Sequence, residues 1–269
     1  MTNTRYETSR ARLSMGAFIA TLHRDLVVTG REFIQFLVQA LMQPLFFLFI
    51  FGKVLPGIGL AAQGFTALLL PGIVALSSML ASLQGVTLPL VLDLGFAREI
   101  DDRLLAPLPA WMVACEKLLV ASIRGTIAGL TIFPVGALIL GSSFGVRTDR
   151  LGILALMIVL TAATGAAIGL LMGTVIKPEQ ISLMFTLIFT PLIFTGCTYY
   201  PWPALSHIRW FQAITMVNPL TYCSEGLRYA MVPGQVKTME IGWVIVALVV
   251  GIGLCAFMGT RTFLKRVVS

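Results

Sequence analysis

Charged residues are scarce in this sequence, and their scarcity limits the kind of protein that it can encode. Only 12% of the 269 residues are Asp, Glu, Lys or Arg, whereas soluble domains contain about 25%. The mean hydropathy is +0.92, and about six apolar stretches reach the roughly 20 residues that a helix needs to cross a bilayer. The composition therefore excludes a water-soluble core and predicts an all-α membrane protein with six transmembrane helices.

Motifs for metal binding and for catalysis are absent as well. The four cysteines form no Cys-x-x-Cys pair, and the two histidines, His23 and His207, lie far apart, which excludes the common zinc and haem motifs. There is no Ser/His/Asp set in a soluble segment, and no glycine-rich loop ends in Gly-Lys-Ser or Gly-Lys-Thr. We therefore expect no catalytic residue, no metal and no cofactor on this chain.

The sequence divides into an N-terminal segment (1–32), a membrane domain (33–263) and a basic tail (264–269). One face of the N-terminal segment is apolar at helical spacing, which predicts an amphipathic helix on the inner leaflet; a cytoplasmic extension of the first span is the alternative. That face consists of Met15, Phe18, Ile19, Leu22 and Leu26. The predicted spans are 33–51, 65–92, 113–140, 151–176, 181–199 and 241–263.

The distribution of Lys and Arg predicts which loops face the cytoplasm. With the N-terminus inside, twelve of these residues fall on the inner side and six on the outer side, so the positive-inside rule places both termini in the cytoplasm. In this orientation, residues 94–112 form an inner loop and residues 200–240 form a long outer segment of a cell-membrane protein. The net charge of +7 is thus explained by topology, and we expect no nucleic-acid partner.

Polar and aromatic side chains inside the predicted spans are candidates for a transport pathway, because an amide or hydroxyl group in hydrocarbon needs protein or water beside it. The candidates are Gln35, Gln39, Gln43, Ser77, Ser82, Gln84, Phe185 and Phe189. Hydrogen bonding between helices explains the polar ones equally well. Arg124 in the third span is either a functional residue or a side chain that snorkels to the inner interface.

Two spans carry small residues at every fourth position, which lets helices approach closely. They form either a dimer seam or the packing of one bundle. The stripes are Gly165, Gly169 and Gly173, and Ala247, Gly251, Cys255 and Gly259.

The outer segment combines aromatic residues of the kind that favour the headgroup level with signals for two short helices. We expect these helices to re-enter the outer leaflet; a loop resting on the surface is the alternative. Glu225 and Arg228 are three residues apart and can pair on one helix, and a disulfide between Cys197 and Cys223 can form on this side. The residues singled out here are Tyr199, Tyr200, Trp202, Asn218, Pro219, Glu225 and Arg228.

The inner loop holds dense mixed charge, followed by apolar residues and by two prolines that end any helix. A short charged helix there can dock into a groove of a cytoplasmic partner, and a solvated loop is the alternative. The charged residues are Arg98, Glu99, Asp101, Asp102 and Arg103.

Together these features resemble the type-2 ABC transporter permeases over nearly the whole chain. Residues 98–109 read REIDDRLLAPLP and are similar to the family's coupling segment, while residues 218–228 contain NPLTY and EGLR and are similar to its outer segment. The resemblance implies a homodimer or pseudo-dimer with a pathway at the dimer interface, lined by the first, second and fifth spans. It also implies separate ATPase subunits, which carry ATP and Mg²⁺ and bind around residues 96–109.

The resemblance further implies an export permease, surrounded by membrane lipids, that moves a hydrophobic or amphipathic compound out across the membrane. Such a compound is a drug, an antibiotic or a lipid. Export of a lipid-linked polysaccharide is the alternative within the family. A stand-alone secondary transporter is disfavoured because carboxylates are absent from the middle of the spans, and an intramembrane enzyme is disfavoured because no catalytic set converges.

Overall fold

The computed structural model describes residues 2–31, 33–60, 65–97, 109–141, 149–232, 234 and 236–268. All regular structure in these ranges is helical. The helices are α1 (Thr2–Arg31), α2 (Phe33–Gly57), α3 (Phe65–Gly95), α4 (Ala110–Leu140), α5 (Leu151–Val175), α6 (Pro178–Thr195), α7 (Arg209–Val217), α8 (Pro219–Met231) and α9 (Ile241–Val268).

Six of the described helices, α2 to α6 and α9, are long and apolar enough to cross a membrane. Their bounds agree with the predicted spans to within about six residues, and the protein is an all-α membrane protein as predicted. Helix α9 continues to Val268 and so includes most of the predicted basic tail. The five charged residues proposed for docking, Arg98, Glu99, Asp101, Asp102 and Arg103, lie outside the described residues.

Helix α3 forms the centre of the bundle. In its most apolar stretch 83% of the residues are buried, and it packs against α2, α4, α5 and α8. Helices α2, α6 and α9 lie at the periphery, with fewer than a fifth of the residues in the corresponding stretch buried. The bundle therefore leaves apolar surface on these three helices, which a membrane or another protein has to cover.

The close approach of α5 to α3 explains the first stripe of small residues. A methyl group added at Gly165 or Gly169 would overlap the α3 backbone at Met79 or Leu83. The stripe on α5 thus packs the bundle of one chain. On α9 only part of the second stripe is covered: Gly259 packs against α5, whereas a methyl group added at Gly251 meets no atom within 4 Å.

Helix α1 lies beside the first half of α4. Phe18 packs against the core cluster around Val113 and Phe263, while Met15 and Ile19 of the same predicted apolar face remain exposed. Residues 2–31 are therefore helical, and Phe18 of the predicted apolar face contacts the bundle. Its position relative to the bilayer stays a prediction.

Candidate functional site

Helix α8 is held inside the bundle by the residue that precedes it. The Asn218 side-chain oxygen accepts a hydrogen bond from the Leu220 N–H at 2.9 Å, a standard N-cap. Its amide nitrogen donates to the Leu192 carbonyl at 2.7 Å and to the Thr195 hydroxyl at 2.8 Å. Asn218 therefore begins α8 and also fixes that helix to the end of α6. The predicted short helix is present and begins at Pro219; its re-entry into the outer leaflet stays a prediction.

Glu225 and Arg228 form an ion pair on α8, as their spacing indicated, and both side chains are completely buried. Arg228 donates to the Cys197 carbonyl at 2.9 Å, and Glu225 accepts from the backbone N–H of Trp202 at 2.9 Å and of Met239 at 3.1 Å. Burial lowers the pKa of the Arg228 guanidinium, while the Glu225 carboxylate beside it opposes that change.

These contacts join four parts of the chain. A longer hydrogen bond of 3.4 Å runs from Arg228 to the Leu68 carbonyl in the first turn of α3, so the pair connects α3, the segment after α6, the segment before α9 and α8 itself. We call this set of residues, with Asn218, the helical-pair cluster. It stabilises the two short helices against the spans.

A tight crossing lies next to this cluster. Gly72 of α3 faces the backbone of Thr198, so a methyl group at Gly72 would overlap the Thr198 carbonyl. Cys197 adopts a φ of 50°, which few residues other than glycine adopt. Cys197 and Cys223 are both buried free thiols in this structure, so the suggested disulfide is not formed here.

The aromatic residues of the outer segment are divided between two environments. Tyr199 packs against Phe47 and Phe51 of α2, with ring centroids 5.2 and 5.5 Å apart, and against Phe194 of α6 at 6.4 Å. Tyr200 donates to the Phe194 carbonyl at 2.8 Å. Tyr199 thus joins the two peripheral helices α2 and α6 at one end of the bundle.

Trp202 belongs to the helical pair instead. Its indole N–H donates to the Gln212 carbonyl and the Gln212 amide donates to the Trp202 carbonyl, both at 3.3 Å. Pro219 occupies the first turn of α8, where its missing N–H costs nothing.

A second candidate site lies at the other end of the bundle, where α1 meets α2, α3 and α4. Two adjoining cavities of about 190 and 480 Å³ share Gly85, Pro89 and Arg124 as lining residues. We call them together the N-terminal cleft. The smaller cavity is also lined by Phe36, Gln39, Ala40, Ala81, Gln84 and Leu88. The larger one is also lined by Arg24, Asp25, Val28, Asp93, Lys117 and Val120.

Ionic contacts fix α1 to α4 along this cleft. The Asp25 carboxylate lies 3.3 Å from the Lys117 ammonium and 3.2 Å from the Arg24 guanidinium. Arg124 donates through Nε to the Thr29 hydroxyl at 2.8 Å, and its guanidinium carbon lies 5.8 Å from the centre of the Phe36 ring. Arg124 therefore extends from α4 towards α1, and its head group borders both cavities.

The structure brings together only some of the pathway candidates. Gln39 and Gln84 line the smaller cavity of the cleft, although they lie on different spans. Gln35 lines a separate pocket with Arg31, and Gln43 is exposed on α2.

Three other candidates fit the pathway interpretation poorly. Ser77 and Ser82 are fully buried in α3, where their hydroxyls donate to backbone carbonyls, and Phe189 is buried as well. These three are not among the lining residues of the two cavities of the cleft. Phe185 stays partly exposed on α6.

Sequence reasoning missed Asp25 and Lys117, which line the cleft, and Thr29, which accepts a hydrogen bond from Arg124 beside it. Each looks like an ordinary polar residue in its own segment, and their partners are 92 or more residues away in the chain. No local signal could have identified them. Within the described residues, no group of three or more His, Cys, Asp or Glu side chains is placed to hold a metal ion.

Six candidate spans, one of them a buried central helix, with a polar helical pair fixed at one end and a charged cleft at the other, define a polytopic membrane protein. The family model for the ABC-2 type transporter matches residues 16–232. The chain therefore belongs to the ABC-2 type transporter family and is the permease component of an ABC transporter, a class of membrane protein that works with ABC ATPase subunits. No curated protein and no solved structure matches the chain significantly.

Proposed function

We propose that the chain is the permease of an ATP-driven exporter that moves a hydrophobic or amphipathic compound across the membrane, and that it works as a dimer with two ATPase subunits. The observation that carries this proposal is the family match over residues 16–232 on a six-span bundle. The predicted orientation has both termini and the loop of residues 94–112 in the cytoplasm.

The surface of the bundle supports the dimer and the nature of the cargo. Helices α2 and α6 expose large apolar side chains, including Phe46, Phe49, Leu187 and Phe194, and they are joined by Tyr199 at one end. An apolar, partly aromatic face of this kind suits a second permease copy and a hydrophobic compound passing between the two copies.

The coupling role is assigned to residues 98–103. We expect that charge reversal in this segment, Glu99→Arg or Asp101→Arg, uncouples ATP hydrolysis from transport while the permease stays folded. Glu179→Arg is the matched control, because Glu179 is an exposed carboxylate in a turn on the same predicted side.

The test is purification of the complex from membranes in mild detergent, followed by reconstitution into vesicles with fluorescent amphiphiles as cargo. A stoichiometric ATPase should co-purify, and ATP should drive cargo transport in the wild type and in Glu179→Arg but not in the two loop variants. If the permease is isolated alone and transports without ATP, the proposal is wrong. If both loop variants transport normally, only the coupling assignment is wrong.

A further inference from the structure

The smaller cavity of the N-terminal cleft has an unusual set of polar groups for a site inside a membrane protein. Within the part of the chain that the structure describes, its nine lining residues include one cation, Arg124, and two amides, Gln39 and Gln84, and none of the nine is a carboxylate. Such a cavity repels a cationic ligand and offers hydrogen-bond donors to an oxyanion, because a guanidinium and an amide can both donate to carboxylate or phosphate oxygens.

Arg124 is held in place before any ligand arrives. Its Nε donates to Thr29 at 2.8 Å, and Thr29 is itself buried and donates to the Asp25 carbonyl at 2.8 Å. The ring of Phe36 lies beside the guanidinium carbon. These contacts orient the planar fork, so that less rotational freedom is lost when the group binds an anion.

The larger cavity adds further cations to the site. Among the residues that the structure describes, its lining contains the cations Arg24, Lys117 and Arg124 and the carboxylates Asp25 and Asp93. Asp25 is shared by two of the cations, Arg24 and Lys117. In the described part of the lining, cations therefore outnumber carboxylates, which favours an anionic ligand over a cationic one.

The surroundings of the cleft favour an anion that carries an apolar chain over a free ion. Val28 lines the larger cavity and is exposed, and Val27 and Ile123, next to lining residues on α1 and α4, are exposed as well. On a membrane protein, exposed apolar side chains of this kind meet lipid chains. A head group in the cleft would leave its chain beside them.

From these observations we infer that the N-terminal cleft binds the oxyanion head group, phosphate or carboxylate, of an amphiphile, with Arg124, Gln39 and Gln84 as its donors. This inference rests on the proposed function, since it specifies the chemical class of the exported amphiphile. Arg124 contacts the head group directly, whereas Thr29 is a positioning residue that acts through Arg124.

Binding can be measured on the full-length permease in nanodiscs of phosphatidylcholine, without any ATPase. The probes are decyl phosphate, decyl trimethylammonium and inorganic phosphate, each titrated by calorimetry. Decyl phosphate should bind saturably, decyl trimethylammonium should not, and inorganic phosphate should bind far more weakly than decyl phosphate. Equal binding of inorganic phosphate and decyl phosphate would refute an amphiphile site.

Variants test the assigned donors. Arg124→Gln should weaken decyl phosphate binding at least about tenfold, which corresponds to about 1.4 kcal/mol, and Arg124→Lys should restore only part of it because the fork is lost. Arg261→Gln is the matched control, since Arg261 also lies over a phenylalanine ring, that of Phe257, but away from the cleft. Gln84→Leu, on α3, should weaken binding too. It provides the test if Arg124→Gln does not fold.

Unchanged affinity in both Arg124→Gln and Gln84→Leu, or equal binding of the cationic amphiphile, would overturn the inference. The export function fails separately. If no ATPase partner is found, ATP-driven export is refuted, but the binding result is not affected. If Arg124→Gln leaves the ATP-driven transport of an anionic amphiphile unchanged, this binding site is refuted, but export is not affected.

Discussion

The buried ion pair of the helical-pair cluster allows a quantitative test of the fold. Glu225 and Arg228 have no exposed side-chain surface, so removing one partner leaves the other charge inside the protein without its main compensation. For buried pairs this costs about 3–5 kcal/mol. We therefore expect Glu225→Gln or Arg228→Met to lower the free energy of unfolding by about that amount.

The double variant should behave differently from the sum of the two. Glu225→Gln combined with Arg228→Met removes both charges and keeps most of the buried volume. It also keeps a side-chain carbonyl for one of the two backbone N–H groups, of Trp202 and Met239, that donate to Glu225. We expect the double variant to be no less stable than either single variant. That result would correspond to a coupling energy of about 3 kcal/mol or more, well above the few tenths expected of independent sites.

Unfolding of the purified permease in mixed detergent micelles, titrated with SDS and followed by tryptophan fluorescence, provides the free energies. Arg24→Gln serves as the control, because Arg24 is 57% exposed and its contact with Asp25 should contribute about 0–1 kcal/mol. If the two single variants are as stable as the control, or if their effects add in the double variant, the cluster does not stabilise the helical pair as argued.

Two further predictions concern the crossing beside this cluster. Gly72→Ala should destabilise the permease by about 1–3 kcal/mol, because the added methyl group overlaps the Thr198 backbone. Gly251→Ala is the control: space is open there, so this variant should be neutral or stabilising by up to about 1 kcal/mol. Equal effects of the two variants in thermal unfolding would contradict the assigned crossing. When the protein is denatured without a reductant and treated with an alkylating reagent, Cys197 and Cys223 should both be alkylated, because both are free thiols. A mass spectrum in which neither cysteine is alkylated would instead indicate a disulfide between them.

The helical pair shows how far local sequence patterns reach. Asn218-Pro219 indicates a break before the short helix, and the spacing of Glu225 and Arg228 indicates that they can pair, because turn signals and i, i+3 contacts depend on residues close in the chain. The burial of that pair was not predictable. It depends on carbonyl and N–H groups from three other segments, and no local pattern indicates where those segments pass.

The pathway candidates show the opposite situation. The sequence indicates eight candidates, most of them because a polar group in a span needs protein or water beside it. The pattern does not indicate whether that neighbour is a water-filled pathway or another helix. Gln39 and Gln84 meet in one cavity, whereas Ser77 and Ser82 satisfy their hydroxyls on nearby backbone carbonyls inside the core. Both outcomes obey the same rule, so only the packing of α3 against its neighbours distinguishes them.

The sequence by itself determined the six spans, the helical class and the family resemblance, because hydropathy over some 20 residues and short motifs are local properties of the chain. Only the tertiary structure decided what the isolated polar residues do. Lys117 reaches Asp25 across 92 positions and Arg124 reaches Thr29 across 95. Such pairs are set by which helices pack side by side and at what height, and that information is absent from each helix taken alone.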